Sequence, residues 1–321
     1  MRHVVWRREL IESRQTRVEE RLRLRNPVAG LRRRLGSISG TVEDVRDRVN
    51  GLELELADLR RENARHREIL LALRDREPEQ RERLAQLRRS TDYELAFTES
   101  EPLVSVIIPT YDNYERLADR SIPSVQAQTW QHFEVLVVGD AAPDAARTVV
   151  ESIGDERVRF WNRTYRGPYP EDPRDRWHIA GVPPYNEAAA TARGRWIAHL
   201  GDDDALRPHH LEVLLDRARQ DRLELCYGIA NTYRPDGSVA PLVGRFPPEW
   251  GQFSFQATIY HAGLAPIFPA EMSDALFQMP WDWGLCRRMM RAGVRMGMVD
   301  SIVADGYPSA LWIGREGASS V

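Results

Sequence analysis

The sequence predicts an α/β protein: an open, mainly parallel, doubly wound sheet preceded by an α-helical coiled coil. Three observations lead there. Short apolar, β-branched runs recur after residue 103, as in "LVSVIIP" and "HFEVLVVGD". Stretches with helical spacing lie between them, and strands that alternate with helices pair in parallel. Ahead of these, residues 42–73 carry an unbroken heptad.

The chain opens with a basic arm. Residues 1–40 hold eleven arginines against four glutamates, a charge of +7 in a chain whose net charge is −3. Such an arm suits an anionic membrane surface, with a solvated tail as the plainer alternative; nucleic acid is not expected as a partner. Every Lys+Arg residue is arginine, which reads as the codon bias of a GC-rich bacterial genome and excludes lysine-based chemistry.

Residues 41–90 form the predicted coiled coil. Its a positions are Val42, Val49, Leu56, Asn63 and Leu70, and its d positions are Val45, Leu52, Leu59, His66 and Leu73. β-branched residues at two a sites, leucine at most d sites and one asparagine favour a parallel pair of helices. The facing g and e′ residues, Arg48–Glu53, Glu55–Arg60 and Glu62–Arg67, are of opposite sign, so a homodimer through residues 42–73 is expected. Pro78 is expected to end the helix.

The third region, 100–321, carries the sheet. "LVSVIIP" and "HFEVLVVGD" read as buried strands, with helical spacing from Tyr114 to Gln128 between them. "RVRFW", "RWIAHL" and "LELCYGIAN" supply three more strands, and helices are expected near 183–193 and 208–220. Residues 163–182, rich in Pro, Arg, Asp and Tyr, form a long functional loop to which, together with the C-terminal third, acceptor choice is assigned. Cys226 and Cys286 sit in apolar segments and read as buried thiols, which leaves no disulfide framework or cysteine zinc site. No apolar run reaches the roughly 20 residues of a membrane span, and the N-terminus lacks a signal-peptide core. A cytoplasmic protein, with peripheral contact to the membrane, is the expectation.

Chemistry gathers where strands end. In an open sheet ligands bind beyond the carboxyl ends of the strands, and Asp112, Asp140 and the run Asp202, Asp203, Asp204 fall there. Adjacent carboxylates repel unless something positive joins them. A hard cation such as Mg²⁺ or Mn²⁺ takes one or two carboxylates and fills its remaining positions with water and phosphate oxygens. Asp204 has a second possible role, as N-cap of the helix that begins near Pro208.

Three segments resemble glycosyltransferase family 2, the inverting enzymes of the GT-A fold. They are "PLVSVIIPTYDNYERLADRSIPSVQAQTWQHFEVLVVGDAAPD", "NEAAATARGRWIAHLGDDDALRP" and "WDWGLCRRMMRAG", and the likeness covers about 100–305. The resemblance implies that Pro109 and Tyr111 line the nucleotide base and that Asp140 accepts the N3–H of a pyrimidine. Uracil and thymine share that edge, so a UDP- or dTDP-sugar is the implied donor. Asn186, which opens the second segment, joins the donor contacts, and Asp202 lies near the ribose. Asp203 is the implied principal metal ligand for Mn²⁺ or Mg²⁺, with Asp202 and Asp204 beside it. Asp282 matches the base that deprotonates the acceptor hydroxyl, and the implied acceptor is a glycan or glycolipid.

The sequence departs from the family pattern at three places. Gly139 and Gly201 stand where relatives carry an acid, and Trp281 replaces a glutamate before the base. Trp281 and Trp283 suit either a sugar-stacking wall or core packing. Two other readings remain open: a coiled-coil scaffold with a silent transferase-like domain, and a sugar nucleotidyltransferase. The latter normally needs a glycine-rich basic loop after the first strand, which "IIPTYDN" is not.

Overall fold

The computed structural model describes residues 14, 16–19, 27–240 and 243–307. Most of the predicted basic arm, and residues 308–321 of the predicted third region, lie outside them. The chain divides into two compact units, Met1–Leu71 and Ala72–Val321.

Helix α1, Pro27–Asp75, runs through the heptad without interruption. Every apolar a and d side chain from Val42 to Leu73 is exposed, from 46% at Val49 to 74% at Leu73. A helix normally buries such a stripe. Pro78 does not end α1. The break falls at Arg76, whose φ of 47° is left-handed, and Pro78 instead sits in the first turn of α2, Glu77–Leu87. That is where its missing N–H costs nothing.

The second unit therefore begins near residue 72 rather than at 100. Leu84 of α2 and Tyr93, Ala96 and Phe97 of α3 (Thr91–Thr98) are buried in its core. Ser90 caps α3, its side chain accepting from the Tyr93 N–H. Arg74 Nη1 lies 2.8 Å from the buried Asp274, and Arg287 pairs with Asp75.

All five predicted strands form. They are β1 (Val104–Thr110), β2 (Phe133–Gly139), β3 (Val158–Asn162), β4 (Trp196–His199) and β6 (Leu225–Thr232). Three more complete the sheet: β5 (Ala205–Leu206), β7 (Thr258–His261) and β8 (Met296–Gly306). The eight strands lie in the order β3-β2-β1-β4-β7-β6-β8-β5. The β3-β2-β1-β4 half is parallel, whereas β7 pairs antiparallel with both β4 and β6, and β5 antiparallel with β8. The sheet is thus parallel in its first half and mixed in its second.

Between β1 and β2 the expected helix appears in three pieces. They are α4 (Tyr114–Arg116), a five-residue π turn (Leu117–Ser121) and α5 (Ile122–Gln126). Helix α6 (Asp144–Glu151) follows β2, and α7 (Pro173–Ile179) is a short helix inside the predicted loop. The helices expected near 183–193 and 208–220 are α8 (Val182–Thr191) and α9 (His210–Asp221). Last comes α10, Trp281–Ala292, ended by Gly293 with φ 84° in the left-handed cap that favours glycine. Cys226 and Cys286 are free and buried. No described helix is long and apolar enough to cross a membrane.

Candidate active site

Two adjoining cavities open beyond the carboxyl ends of β1, β2 and β4. The smaller, about 210 Å³, is lined by Pro109, Thr110, Tyr111, Asp140 and Asp202, among others. The larger, about 600 Å³, is lined by Asp203, Asp204 and Asp282. Ala180, His199 and Trp281 border both.

Strand order explains the smaller cavity. β1 and β2 run parallel in register, so Pro109 and Asp140 emerge from neighbouring strands at the same end of the sheet. Asp140 is buried, and its two oxygens accept from Arg163 Nη1 and the Tyr169 hydroxyl. Those bonds hold the carboxylate as an acceptor, with lone pairs left for one more donor. The Arg166 guanidinium lies 3.5 Å from the centre of the Tyr111 ring, a close cation–π contact. Arg166 and Tyr169 thus line the smaller cavity and Arg163 braces Asp140 at its edge, so the first part of the 163–182 segment, expected to serve acceptor choice, faces the same cavity as Pro109 and Tyr111. Trp177 and His178, later in that segment, do line the larger cavity.

The three consecutive aspartates face different ways. Thr110 Oγ1 donates to Asp202 Oδ2 at 2.8 Å, and Asp202 lines only the smaller cavity. Asp203 and Asp204 line the larger one. The π turn clamps their backbone: Ser121 Oγ donates to the Asp202 carbonyl and Arg120 Nη1 to that of Asp203, both at 2.6 Å. π turns of this kind recur at functional sites. Asp204 does not cap α9. Its Oδ1 accepts from the Tyr307 N–H at 2.8 Å, and the residue flanking the start of α9 is His209.

Burial acts on all of these acids. It pushes Asp202 up to about 7, assisted by the charge of Asp203 and opposed by bonds from Thr110, Asn113 and the Tyr111 N–H. Burial also raises Asp203, against its own N–H, Arg120 and Arg116. Asp204 is raised by burial first and by Asp203 second. Asp282, in the first turn of α10, is pushed up to about 6 by burial, against bonds from the Trp283 N–H and its own N–H.

A side chain at either glycine departure would crowd its neighbours. A Cβ at Gly139 would stand 2.3 Å from Asn162 Oδ1 and 3.1 Å from the Ala142 Cβ. A Cβ at Gly201 would stand 2.6 Å from Asp204 Oδ2. Either side chain would displace a neighbour that shapes the site.

Among the described residues no group of three or more His, Cys, Asp or Glu converges as a metal cage. The donor set still fits a cation that takes few protein ligands. Asp203 and Asp204 share one cavity and burial disfavours their charge, so a positive partner relieves both. Asp202 is turned away toward Thr110, which favours a donor contact over a metal ligand. Asn186 is not among the residues bordering either cavity. Its amide exchanges two 2.9 Å hydrogen bonds with the Ala270 backbone, so it ties α8 to that segment.

His199 escaped the sequence reading, although a histidine inside "WIAHL" was a visible signal. Its ring stands 5.4 Å from Trp281 and 5.5 Å from Phe255, and its Nδ1 has no hydrogen-bond partner. Burial drives it down to about 3, so it is neutral.

This sheet, with acids at its strand ends and two cavities beyond them, has the GT-A type of fold. A solved structure, S. aureus TarS 1-349 in complex with UDP, shares the fold with a TM-score of 0.51 and 16% identity, over 64% of this chain and 60% of that one. Residues 105–170 match the family described as Glycosyl transferase family 2. Succinoglycan biosynthesis protein ExoO of Rhizobium meliloti is 35% identical over 119 residues, 36% of this chain and 30% of that protein. UDP-Glc:alpha-D-GlcNAc-diphosphoundecaprenol beta-1,3-glucosyltransferase WfgD of Escherichia coli is 32% identical over 127 residues, 39% of this chain and 45% of that protein. The chain thus spans less than half the length of these relatives.

Proposed function

We propose that the chain is a metal-dependent, inverting glycosyltransferase that moves a sugar from a nucleotide-diphosphate sugar to an acceptor hydroxyl. The observation that carries this reading is the shared border of the two cavities. One holds a carboxylate acceptor beside an aromatic ring; the other holds a candidate metal acid and a candidate base.

In this reading Pro109 and Tyr111 flank the base, and Asp140 takes its N3–H, positioned by Arg163 and Tyr169. Asp202, braced by Thr110, meets the ribose. Asp203, with Asp204, would hold Mn²⁺ or Mg²⁺, which when bound neutralises the diphosphate leaving group. Asp282 accepts the acceptor's proton as its oxygen attacks the anomeric carbon from the face opposite the nucleotide. A carboxyl near 6 is ionised at neutral pH yet more basic than an exposed aspartate, which suits a general base.

WfgD is by name a glucosyltransferase acting on a diphosphoundecaprenol-linked sugar. By analogy we assign this chain to bacterial glycan or glycolipid synthesis with a UDP- or dTDP-sugar, in the cytoplasm at the membrane face, and as a dimer through the 42–73 seam.

Calorimetry of UDP and dTDP binding with and without Mn²⁺ tests the core of the proposal. Wild type should bind in a metal-dependent way, and Asp203→Asn should lose that dependence. Unchanged metal dependence in the variant removes Asp203 from the site.

A further inference from the structure

His199 ends β4 at the rim of the sheet and borders both cavities. Side chains two apart on a strand share a face, so His199 prolongs the stripe begun by Ile197. Ile197 is buried in the core that Tyr185, Phe255 and Trp281 share. The rings of those three residues stand 5.4 to 5.5 Å from the imidazole. So aromatic a setting suits phenylalanine, which would fill it without any polar atom to satisfy. A neutral imidazole brings one donor and one acceptor, and each needs a partner when water is excluded. Nδ1 is enclosed and has none. No described residue bonds to Nε2 either, but Nε2 is not enclosed, so it opens on the cavities that the ring borders. Packing alone gives no return for a histidine here; a ligand at the border does.

We infer that His199 Nε2 hydrogen-bonds a hydroxyl of the sugar being transferred, and that this contact discriminates among donor sugars. The inference rests on the transferase reading above and adds a residue to it. In that reading the nucleotide lies in the smaller cavity and Asp282 in the larger. The sugar whose anomeric carbon is attacked then lies at their shared border, where Ala180 and Trp281 meet it with a methyl group and an indole. A hydroxyl both donates and accepts, so it matches Nε2 in either imidazole tautomer, whereas an ionised phosphate oxygen only accepts. The neutrality of the ring points the same way. Burial drives His199 down to about 3, so at neutral pH it offers a diphosphate no positive charge.

The test is calorimetry on the full chain with Mg²⁺. The probes are UDP and dTDP, and the glucose, galactose and N-acetylglucosamine derivatives of each. His199→Phe keeps an aromatic ring and removes both nitrogens. It should weaken at least one sugar nucleotide by roughly three- to tenfold, the usual worth of one hydrogen bond, and leave the parent nucleotide unmoved. His199→Gln, whose amide again donates and accepts, should recover most of that loss, which a packing role would not allow. A second measurement needs no variant: in the isotope-labelled wild type, the His199 ring nitrogens should shift with that sugar nucleotide well beyond their shift with the nucleotide alone. Sugar nucleotides unmoved in His199→Phe overturn the inference. So does a loss shared equally by the parent nucleotide, a His199→Gln variant no better than His199→Phe, or ring nitrogens blind to the sugar. A wild type that binds neither UDP nor dTDP defeats the transferase reading instead.

Discussion

Arg88 grips the buried carboxylate of Glu224 at two points, with Nε and Nη2 lying 2.6 and 2.7 Å from its two oxygens. Tyr93 donates its hydroxyl to the same carboxylate at 2.9 Å and the Arg295 N–H does so at 2.8 Å. One acid just before β6 thereby ties α2 and α3 to the sheet. Arg88→Met should cost about 2 kcal/mol in urea unfolding. That is below the usual 3–5 kcal/mol for breaking a buried pair, because Tyr93 and Arg295 remain. Unchanged stability would mean that Tyr93 and Arg295 alone satisfy Glu224.

Asp282→Asn keeps the shape of the side chain and removes its basicity. UDP affinity and metal dependence should survive, while kcat falls by roughly 10²–10⁴. Near-wild-type turnover with a competent acceptor would leave Asp282 as a helix-start carboxylate.

The same residue predicts two pH effects. Wild-type kcat should rise as pH passes through about 6, where Asp282 loses its proton. Stability moves the other way. The folded carboxyl holds a proton that the unfolded chain releases nearer its ordinary value of 3.8, so raising pH between those values costs folding free energy. Asp282→Asn should therefore melt higher than wild type at pH 7 and lose that advantage near pH 3. An advantage that persists at low pH would point to a different cause.

Tyr169→Phe removes one donor to Asp140 and leaves the ring. UDP affinity should fall several-fold, and the preference for UDP over CDP should narrow. A carboxylate reads the N–H at N3 of uracil and is mismatched with the bare N3 of cytosine. A parallel loss for both nucleotides would make Tyr169 a packing residue only.

The exposed seam of α1 predicts a dimer. Light scattering at micromolar concentration should give twice the mass of 36.9 kDa, and Val49→Asp with Leu56→Asp should give a monomer that still binds UDP. Asn63→Leu should raise the melting temperature and loosen the number of strands, since a polar a residue selects pairing at a cost in stability. A monomeric wild type would refute the seam.

Local patterns told much of this story. The runs at 104–110 and 133–139 are strands because β-branched residues recur there between turn residues. The heptad of α1 is visible because its period is a property of neighbouring residues alone. The strand-end acids followed from the same alternation, since a parallel sheet puts its loops in one place.

What the tertiary structure decided were the long-range relations. β5 and β7, two and four residues long, become strands only because β8, β4 and β6 offer them partners. α2 and α3 join the domain through Glu224, more than a hundred residues away, which no local period can announce. Asp202, Asp203 and Asp204 are indistinguishable as letters. They part company because Thr110 turns the first toward one cavity, while Arg120 holds the Asp203 carbonyl and the Tyr307 N–H holds the Asp204 carboxylate beside the next. Side-chain direction at a strand end depends on what packs against it, and those neighbours arrive from distant parts of the chain.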